Sequence, residues 1–163
     1  MEYLDVYDKN RKKTGKKILR GDKSSIVDGE YINLVLIFIE NHEGKYLIQK
    51  TSKEKGGIWA TTGGHVKSGA DSRQTVIEEV NEELGLDISN ENFSLVDTTF
   101  ISHALIDTYY LKKDIDIEDI ICQKEEVDYV LWLTKEEIFK LYEEGIFRKS
   151  NIPGFEKVLQ LTK

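Results

Sequence analysis

Runs of apolar residues along the chain predict a series of strands. Residues 33–39, NLVLIFI, are apolar at both alternating positions and rich in β-branched side chains, which predicts a central strand that is covered on both faces. A turn over residues 41–44 then leads into a returning strand over residues 45–49. Other short apolar or alternating runs predict strands over residues 3–7, 93–102, 108–111 and 127–133.

Helix signals separate these strands. Residues 71–84 are predicted to form an amphipathic helix whose C-terminal end suits Gly85, because four of its apolar side chains fall within roughly 100° of arc. These four side chains are Val76, Ile77, Val80 and Leu84. Residues 134–137, TKEE, fit a capping box that opens a helix to about residue 144, and Pro153 suits the start of a last helix that ends near residue 161. Strands interleaved with helices predict an α/β fold, a sandwich of α/β/α layers around a central mixed sheet.

Length and charge restrict the classes of protein and partner. The 163 residues suit one domain over residues 1–163. A formal net charge of −7 opposes binding to nucleic acid polymers and anionic membranes, so an anionic substrate would need local positive charge such as a divalent metal ion. Cys122 is the only cysteine, which excludes an intrachain disulfide and favours the cytoplasm. The longest apolar run, residues 34–39, is too short to cross a bilayer, and residues 1–13 have no signal-peptide core.

The predicted helix over residues 71–84 carries unusual chemistry. Glu79, Glu82 and Glu83 stand at i, i+3 and i+4, beside the apolar stripe, with no Lys or Arg three or four residues away. A solvated acidic face is the ordinary interpretation of a glutamate-rich helix. Like-charge pairs at this spacing cost about 0.2–0.5 kcal/mol each, and a hard cation would turn that repulsion into binding energy. Clustered carboxylates beside glycine residues suit Mg²⁺, which prefers oxygen ligands.

Residues 64–86 closely resemble the Nudix box, whose pattern is G-x5-E-x7-R-E-U-x-E-E-x-G-U with U a bulky aliphatic residue. The positions that match are Gly64, Glu79, Val80, Glu82, Glu83, Gly85 and Leu86. The resemblance implies a Nudix hydrolase that cleaves the pyrophosphate bond of a small substrate, a nucleoside diphosphate linked to a further group X. It does not identify the base or the group X. Dimers are frequent in the family, so a homodimer is one assembly to expect.

The resemblance also implies roles for single residues. Glu82 and Glu83 would be the principal ligands of Mg²⁺ or Mn²⁺, and the carbonyl of Gly64 a further ligand. Glu79 would bind the metal, or would position and deprotonate the attacking water. Substitution at phosphorus needs both the neutralised charge and the positioned water.

Two positions depart from the Nudix box. Ala70 stands where the pattern has its first glutamate, and Glu78 stands where it has arginine. In the family these two residues commonly support each other and orient the catalytic glutamate. The paired change leaves open whether activity is reduced, and it keeps a third hypothesis in play: a weakly active domain that binds a nucleotide or metabolite.

Segments outside the box are similar to Nudix proteins related to isopentenyl-diphosphate isomerase. The match includes residues 4–15, 29–50 and 125–138, together with the pair Gly64-His65. Those isomerases use a cysteine next to their Gly-His element, whereas residues 60–65 here are ATTGGH and contain none. Isomerase activity is therefore the less favoured alternative, and Cys122 is interpreted as a small packing residue.

Several other residues are candidates for metal or substrate contacts, and for each a purely structural role is at least as well supported by the sequence. Glu125 or Glu126 could add a carboxylate to the metal site, or both could lie in a solvated loop. His65, Arg20 and Lys50 are candidates for phosphate contacts. Aromatic side chains could stack on a base, although most aromatic residues at strand spacing belong to a core. These side chains are Trp59, Phe100, His103, Tyr109 and Tyr110.

Overall fold

The computed structural model describes residues 2–162; Met1 and Lys163, the ends of the predicted domain, lie outside the described residues. Within that range the strands are β1 (Tyr3–Tyr7), β2 (Lys13–Leu19), β3 (Tyr31–Glu40), β4 (Tyr46–Thr51), β5 (Trp59–Ala60), β6 (Thr62–His65), β7 (Ser94–Ile101), β8 (Ala104–Lys112) and β9 (Val127–Leu133). The helices are α1 (Ser72–Leu84), α2 (Lys135–Glu143) and α3 (Ile152–Thr162). The predicted strands and helices are confirmed, with ends that differ by a few residues.

The central strand predicted over residues 33–39 is β3, and it organises one mixed sheet. It pairs in parallel with β8 over nine residue pairs and antiparallel with β1, β4 and β6. Strand β4 pairs antiparallel with β9 and β5. The mixture of parallel and antiparallel neighbours places β6, and the glycine residues within it, beside the middle of β3.

Helices cover both faces of this sheet. On one face, Val35, Ile37 and Ile39 of β3 pack with the apolar stripe of α1. On the other face, Phe38 packs with residues of α2 and α3, including Phe155. Alternate residues of one strand therefore enter two separate cores, which is why the run is apolar at every position. The predicted α/β/α sandwich is confirmed.

The loop before α1 is held by the first strand. Asp5 of β1 accepts hydrogen bonds from the hydroxyl of Ser68 at 2.8 Å and from the backbone N–H of Gly69 at 3.0 Å. Lys13 approaches the same carboxylate at 3.2 Å, and the two hydrogen bonds together with this lysine lower the pKa of Asp5 against the effect of its burial. The backbone of the Nudix-like segment is thus tied to the N-terminal hairpin before the helix begins.

A buried aspartate ties the start of α1 to the sheet. Asp107 of β8 is completely buried and accepts hydrogen bonds from the hydroxyl of Ser72 at 2.7 Å and from Thr98 at 2.8 Å. Asn33 donates to it at 3.2 Å, and Arg11 binds both of its oxygens. This network joins the hairpin turn, the three strands β3, β7 and β8, and the first residue of α1.

Ala70, Glu78 and Cys122 have ordinary surroundings. Ala70 and Cys122 pack, partly buried, against the core beside α1, which agrees with a packing role for the cysteine. Glu78 is exposed and has no ion pair among residues 2–162. Among residues 2–162, no helix is both long and apolar enough to span a membrane.

Candidate active site

Both ends of α1 are defined by side-chain and backbone caps. The carboxylate of Asp71 accepts a hydrogen bond from the N–H of Gln74 at 2.7 Å, and Gly85 ends the helix with a φ of 69°. A Cβ atom at Gly85 would also crowd Ile121. These caps fix where the helix begins and ends, and the packing of its apolar stripe against the sheet sets the direction of the glutamates.

Gly64 of β6 lies against the carboxyl group of Glu79. A Cβ atom at Gly64 would stand 2.4 Å from the carboxyl carbon of Glu79 and 2.5 Å from its Oε1. Only glycine therefore leaves space for this carboxyl at its observed place. The two residues that the sequence singled out at opposite ends of the Nudix-like segment are in direct proximity.

Glu83 is the most enclosed of the three glutamates. It is 6% exposed, and its Oε1 accepts a hydrogen bond of 2.9 Å from Gln49 Nε2. Thr62 in turn donates to Gln49 Oε1 at 2.9 Å, which fixes the orientation of the amide. Burial raises the pKa of Glu83 above its usual value, and its hydrogen bond to Glu79 raises it further. Burial also raises the pKa of Glu79, because two neighbouring carboxyl groups in a poorly solvated site resist ionising together.

These groups line a cleft of about 450 Å³. Glu82, which is exposed, and Glu126 line it with Glu79, Glu83 and Gly64. Cationic side chains enter the same cleft: Arg20, Lys55, Lys67 and Arg148. The cleft therefore combines a carboxylate wall with positive charge, an arrangement that suits a divalent cation and a polyanionic ligand together.

The donor set fits a hard divalent cation. It consists of carboxylate oxygens and a glycine backbone, and burial raises the pKa values of both Glu79 and Glu83. Within residues 2–162, no three acidic, histidine or cysteine side chains already stand in a ligating arrangement. One or two carboxylates completed by water and substrate phosphate is the coordination that Mg²⁺ commonly takes.

The predicted phosphate contacts divide into two groups. Arg20 and His65 line the cleft, and burial, with the nearby charge of Arg20, lowers the pKa of His65 to about 4, so its ring is neutral at pH 7. Lys50 lies outside the cleft, with its ammonium 5.8 Å from the centre of the Trp59 ring. Because Gln49 reaches the carboxylates, strand alternation turns its neighbour Lys50 to the other face.

The structure also places Glu125 and Glu126 differently with respect to the cleft. Glu126 lines the cleft, where Lys55 approaches it at 3.3 Å. Glu125 is exposed and outside the cleft. Of the two candidates for an additional carboxylate, the structure brings only Glu126 close to the glutamates of α1.

The aromatic candidates do not line the cleft. Trp59 packs against Tyr129, and Phe100 against Tyr31. Tyr109 and Tyr110 hydrogen-bond Ser72 and Glu40. His103 lines a separate apolar depression on the far side of Arg20 and His65. Within the described chain, the cleft has no aromatic platform for a base.

Sequence reasoning missed several residues of the cleft, among them Gln49, Arg148 and Asn151. Gln49 lies in an apolar strand pattern, where a single amide stands out only weakly. Arg148 and Asn151 lie between α2 and α3, where no spacing rule connects them to α1. Only the folded chain brings them to the cleft.

Comparison with known proteins gives one consistent result. A family model, the NUDIX domain, matches residues 31–154. An uncharacterized Nudix hydrolase of Listeria monocytogenes is 34% identical over 151 residues, which cover 90% of this chain and 88% of that protein.

Solved structures share the fold. A Deinococcus radiodurans protein superposes with a TM-score of 0.76 at 22% identity, covering 89% of this chain and 91% of that one. The NUDIX domain of Shewanella oneidensis NrtR complexed with ADP ribose gives a TM-score of 0.67 at 14% identity, covering 88% and 95%. At these sequence identities the two structures support the fold assignment only.

Proposed function

Because the chain belongs to the Nudix family of pyrophosphohydrolases, we propose that it cleaves the pyrophosphate bond of a nucleoside diphosphate linked to a group X, with Mg²⁺ or Mn²⁺ as cofactor. Nudix enzymes generally use a divalent metal and act on small molecules. The identity of the ion and of the substrate belongs to the proposal. In this proposal residues 1–163 form one catalytic domain that acts in the cytoplasm.

The observation that carries the proposal is the contact between Gly64 and the Glu79 carboxyl beside the buried Glu83. Glu82 and Glu83 would hold the ion, with Glu79 or the carbonyl of Gly64 as a further ligand. When bound, the divalent ion would neutralise charge that develops on the diphosphate oxygens. Glu126, which lines the same cleft, could add a further carboxylate.

The protein's own residues would supply the rest of the chemistry. Glu79 accepts a proton from the water whose oxygen attacks phosphorus, while the bond from that phosphorus to the bridging oxygen breaks. Arg20 supplies positive charge for the phosphate oxygens, and the neutral ring of His65 supplies one hydrogen-bond donor. The products are two phosphorylated fragments.

We place the uncharged part of the substrate in the apolar depression next to the cleft. Arg20 and His65 line both the cleft and the depression. A ligand bound at the carboxylates can therefore extend from the cleft into the depression. The depression has a volume of about 450 Å³ and is lined by aliphatic side chains such as Ile18, Ile26 and Ile101. Aliphatic walls can enclose a base or an apolar group X by burial of surface.

A turnover panel tests the proposed function. We expect hydrolysis of at least one member of a set of nucleoside diphosphates linked to sugars, alcohols or a second nucleoside, with phosphorus NMR showing two phosphorylated products. Prenyl diphosphates belong in the same panel. Isomerised prenyl diphosphate without hydrolysis would favour the isomerase alternative, and binding without turnover would favour the ligand-binding alternative.

A second prediction concerns the metal ion. Saturating Mg²⁺ is expected to raise the thermal unfolding midpoint, since a ligand that binds only the folded state stabilises it by mass action. The double variant Glu82→Gln/Glu83→Gln removes two charges from the proposed site and should lose both the shift and the heat of Mg²⁺ titration.

The matched control for the metal prediction is Glu125→Gln, because that carboxylate is exposed outside the cleft. Undiminished Mg²⁺ binding in the double variant would place the metal site elsewhere. The homodimer and the closer similarity to isopentenyl-diphosphate isomerases stay predictions.

A further inference from the structure

Arg148 is a cation in the cleft without an ionic partner. Two other cleft cations are paired: Arg20 with Glu2 at 3.2 Å and Lys55 with Glu126 at 3.3 Å. Within residues 2–162 no side chain hydrogen-bonds or ion-pairs the guanidinium of Arg148, although it is partly buried. A poorly solvated guanidinium is costly unless a fixed anion compensates it.

The backbone of Arg148 is fixed against the sheet. Its N–H donates to the carbonyl of Trp59 at 2.9 Å, and the N–H of Trp59 donates to Ile146 at 2.9 Å. Phe147, between these partners, is 2% exposed and belongs to the core beside α3. The side chain of Arg148 therefore enters the cleft from a rigid support rather than from a free loop.

Asn151 adds a second unused donor at the same wall. The residue is 1% exposed and lines the cleft. The backbone N–H of Thr61 donates to the Oδ1 atom of Asn151 at 2.9 Å. This hydrogen bond identifies the oxygen and the nitrogen of the Asn151 amide. The Nδ2 atom is buried and has no partner among the described residues. Buried donors are nearly always hydrogen-bonded, so an unsatisfied one beside an unpaired guanidinium points to a ligand that accepts from both.

We propose that Arg148 and Asn151 form a subsite for a phosphoryl group of the substrate, in the cleft that the carboxylates of α1 also line. This subsite rests on the proposed function, because the diphosphate gives it its ligand class. The charges of Glu83 and Glu126 act on the guanidinium of Arg148, although neither carboxylate forms an ion pair with it. A diphosphate bound between the carboxylates of α1 and Arg148 would bind the planar guanidinium through paired oxygens. One phosphoryl group would then lie at the carboxylate wall and the other at Arg148.

Imidodiphosphate, a diphosphate with a nitrogen bridge, is the probe, because it resists hydrolysis. Calorimetric titration in excess Mg²⁺ should give a Kd about 10- to 100-fold weaker for Arg148→Met than for the unchanged protein, since the variant keeps the apolar stem and loses the charged donors. Asn151→Asp keeps the acceptor for Thr61 and replaces the donor by a charged acceptor, so it should also weaken binding at least tenfold. Thermal unfolding verifies that both variants fold.

Lys149→Met is the matched control, because Lys149 is the exposed neighbour and does not line the cleft; its Kd should stay within about twofold of the unchanged value. Equal affinities in Arg148→Met and Lys149→Met would overturn the subsite. A changed affinity for Mg²⁺ alone, with unchanged affinity for imidodiphosphate, would overturn it too, since Arg148 would then only offset the charge of Glu83 and Glu126.

Turnover separates this subsite from the proposed function. If no diphosphate in the panel is hydrolysed while imidodiphosphate binding still depends on Arg148, the subsite stands and the proposed function fails. If a diphosphate is hydrolysed and Arg148→Met changes neither its KM nor the imidodiphosphate Kd, the proposed function stands and the subsite fails.

Discussion

Replacing Glu79 by glutamine is expected to lower kcat by about 10²–10⁴, with KM little altered. Assistance by a general base is worth roughly 3–5 kcal/mol of barrier at this rate factor. Glutamine keeps the shape of the side chain beside Gly64 and removes the proton acceptor. An effect on kcat without an effect on KM would assign the carboxylate to the chemical step rather than to substrate binding.

A second variant tests position separately from charge. Gly64→Ala keeps the Glu79 carboxylate but must displace it, because the added Cβ would lie 2.4 Å from the carboxyl carbon. We expect a large part of the same kcat loss, with a folded protein by circular dichroism. Glu126→Gln is the decisive comparison, since Glu126 is the cleft carboxylate outside α1 that the sequence singled out. Nearly full kcat in Glu79→Gln, together with its loss in Glu126→Gln, would move the base to the loop before β9.

The elements that sequence could predict are those with a local pattern. Strand β3 is apolar throughout because it serves two cores, and α1 carries both an apolar stripe and terminal caps. Strand β2 was not predicted, because most of its side chains are exposed and it is held by backbone pairing with β1. The short strand β6 was not predicted either, since its pairing with β3 leaves no apolar alternation in a glycine-rich segment.

The same distinction applies to the site. Glu79, Glu82 and Glu83 were predicted together because helical spacing alone turns them to one side. The burial of Glu83 and its bond to Gln49 depend on β4, which lies 34 residues away in sequence. Lys50 was predicted as a phosphate contact because of its charge. In the structure its neighbour Gln49 lines the cleft instead, and Lys50 lies outside it. Charge can be seen in sequence, whereas the direction of a strand side chain depends on what covers each face.

The anchoring of α1 is the part of the site that the sequence indicated least. The departures at Ala70 and Glu78 removed the pair of residues that commonly orients Glu79 in the family. Instead, Asp5 holds the loop before the helix, and Asp107 holds Ser72, its first residue. Support for α1 can therefore come from the N-terminal hairpin and β8, without the glutamate and arginine of the Nudix box.

Replacing Asp107 by alanine is expected to lower the free energy of unfolding by about 3 kcal/mol, within the 3–5 kcal/mol range for breaking a buried ion pair. The lower end applies because Arg11 is 38% exposed and can return to water, whereas Ser72 and Thr98 lose an acceptor at the sheet. Urea denaturation measures the change, and Asp128→Ala, at an exposed position of β9, should stay within about 0.5 kcal/mol. Arg11→Met should cost less than Asp107→Ala, because the carboxylate keeps three of its donors. A loss below about 1 kcal/mol in Asp107→Ala would show that the network is not what holds the hairpin, β8 and α1 together.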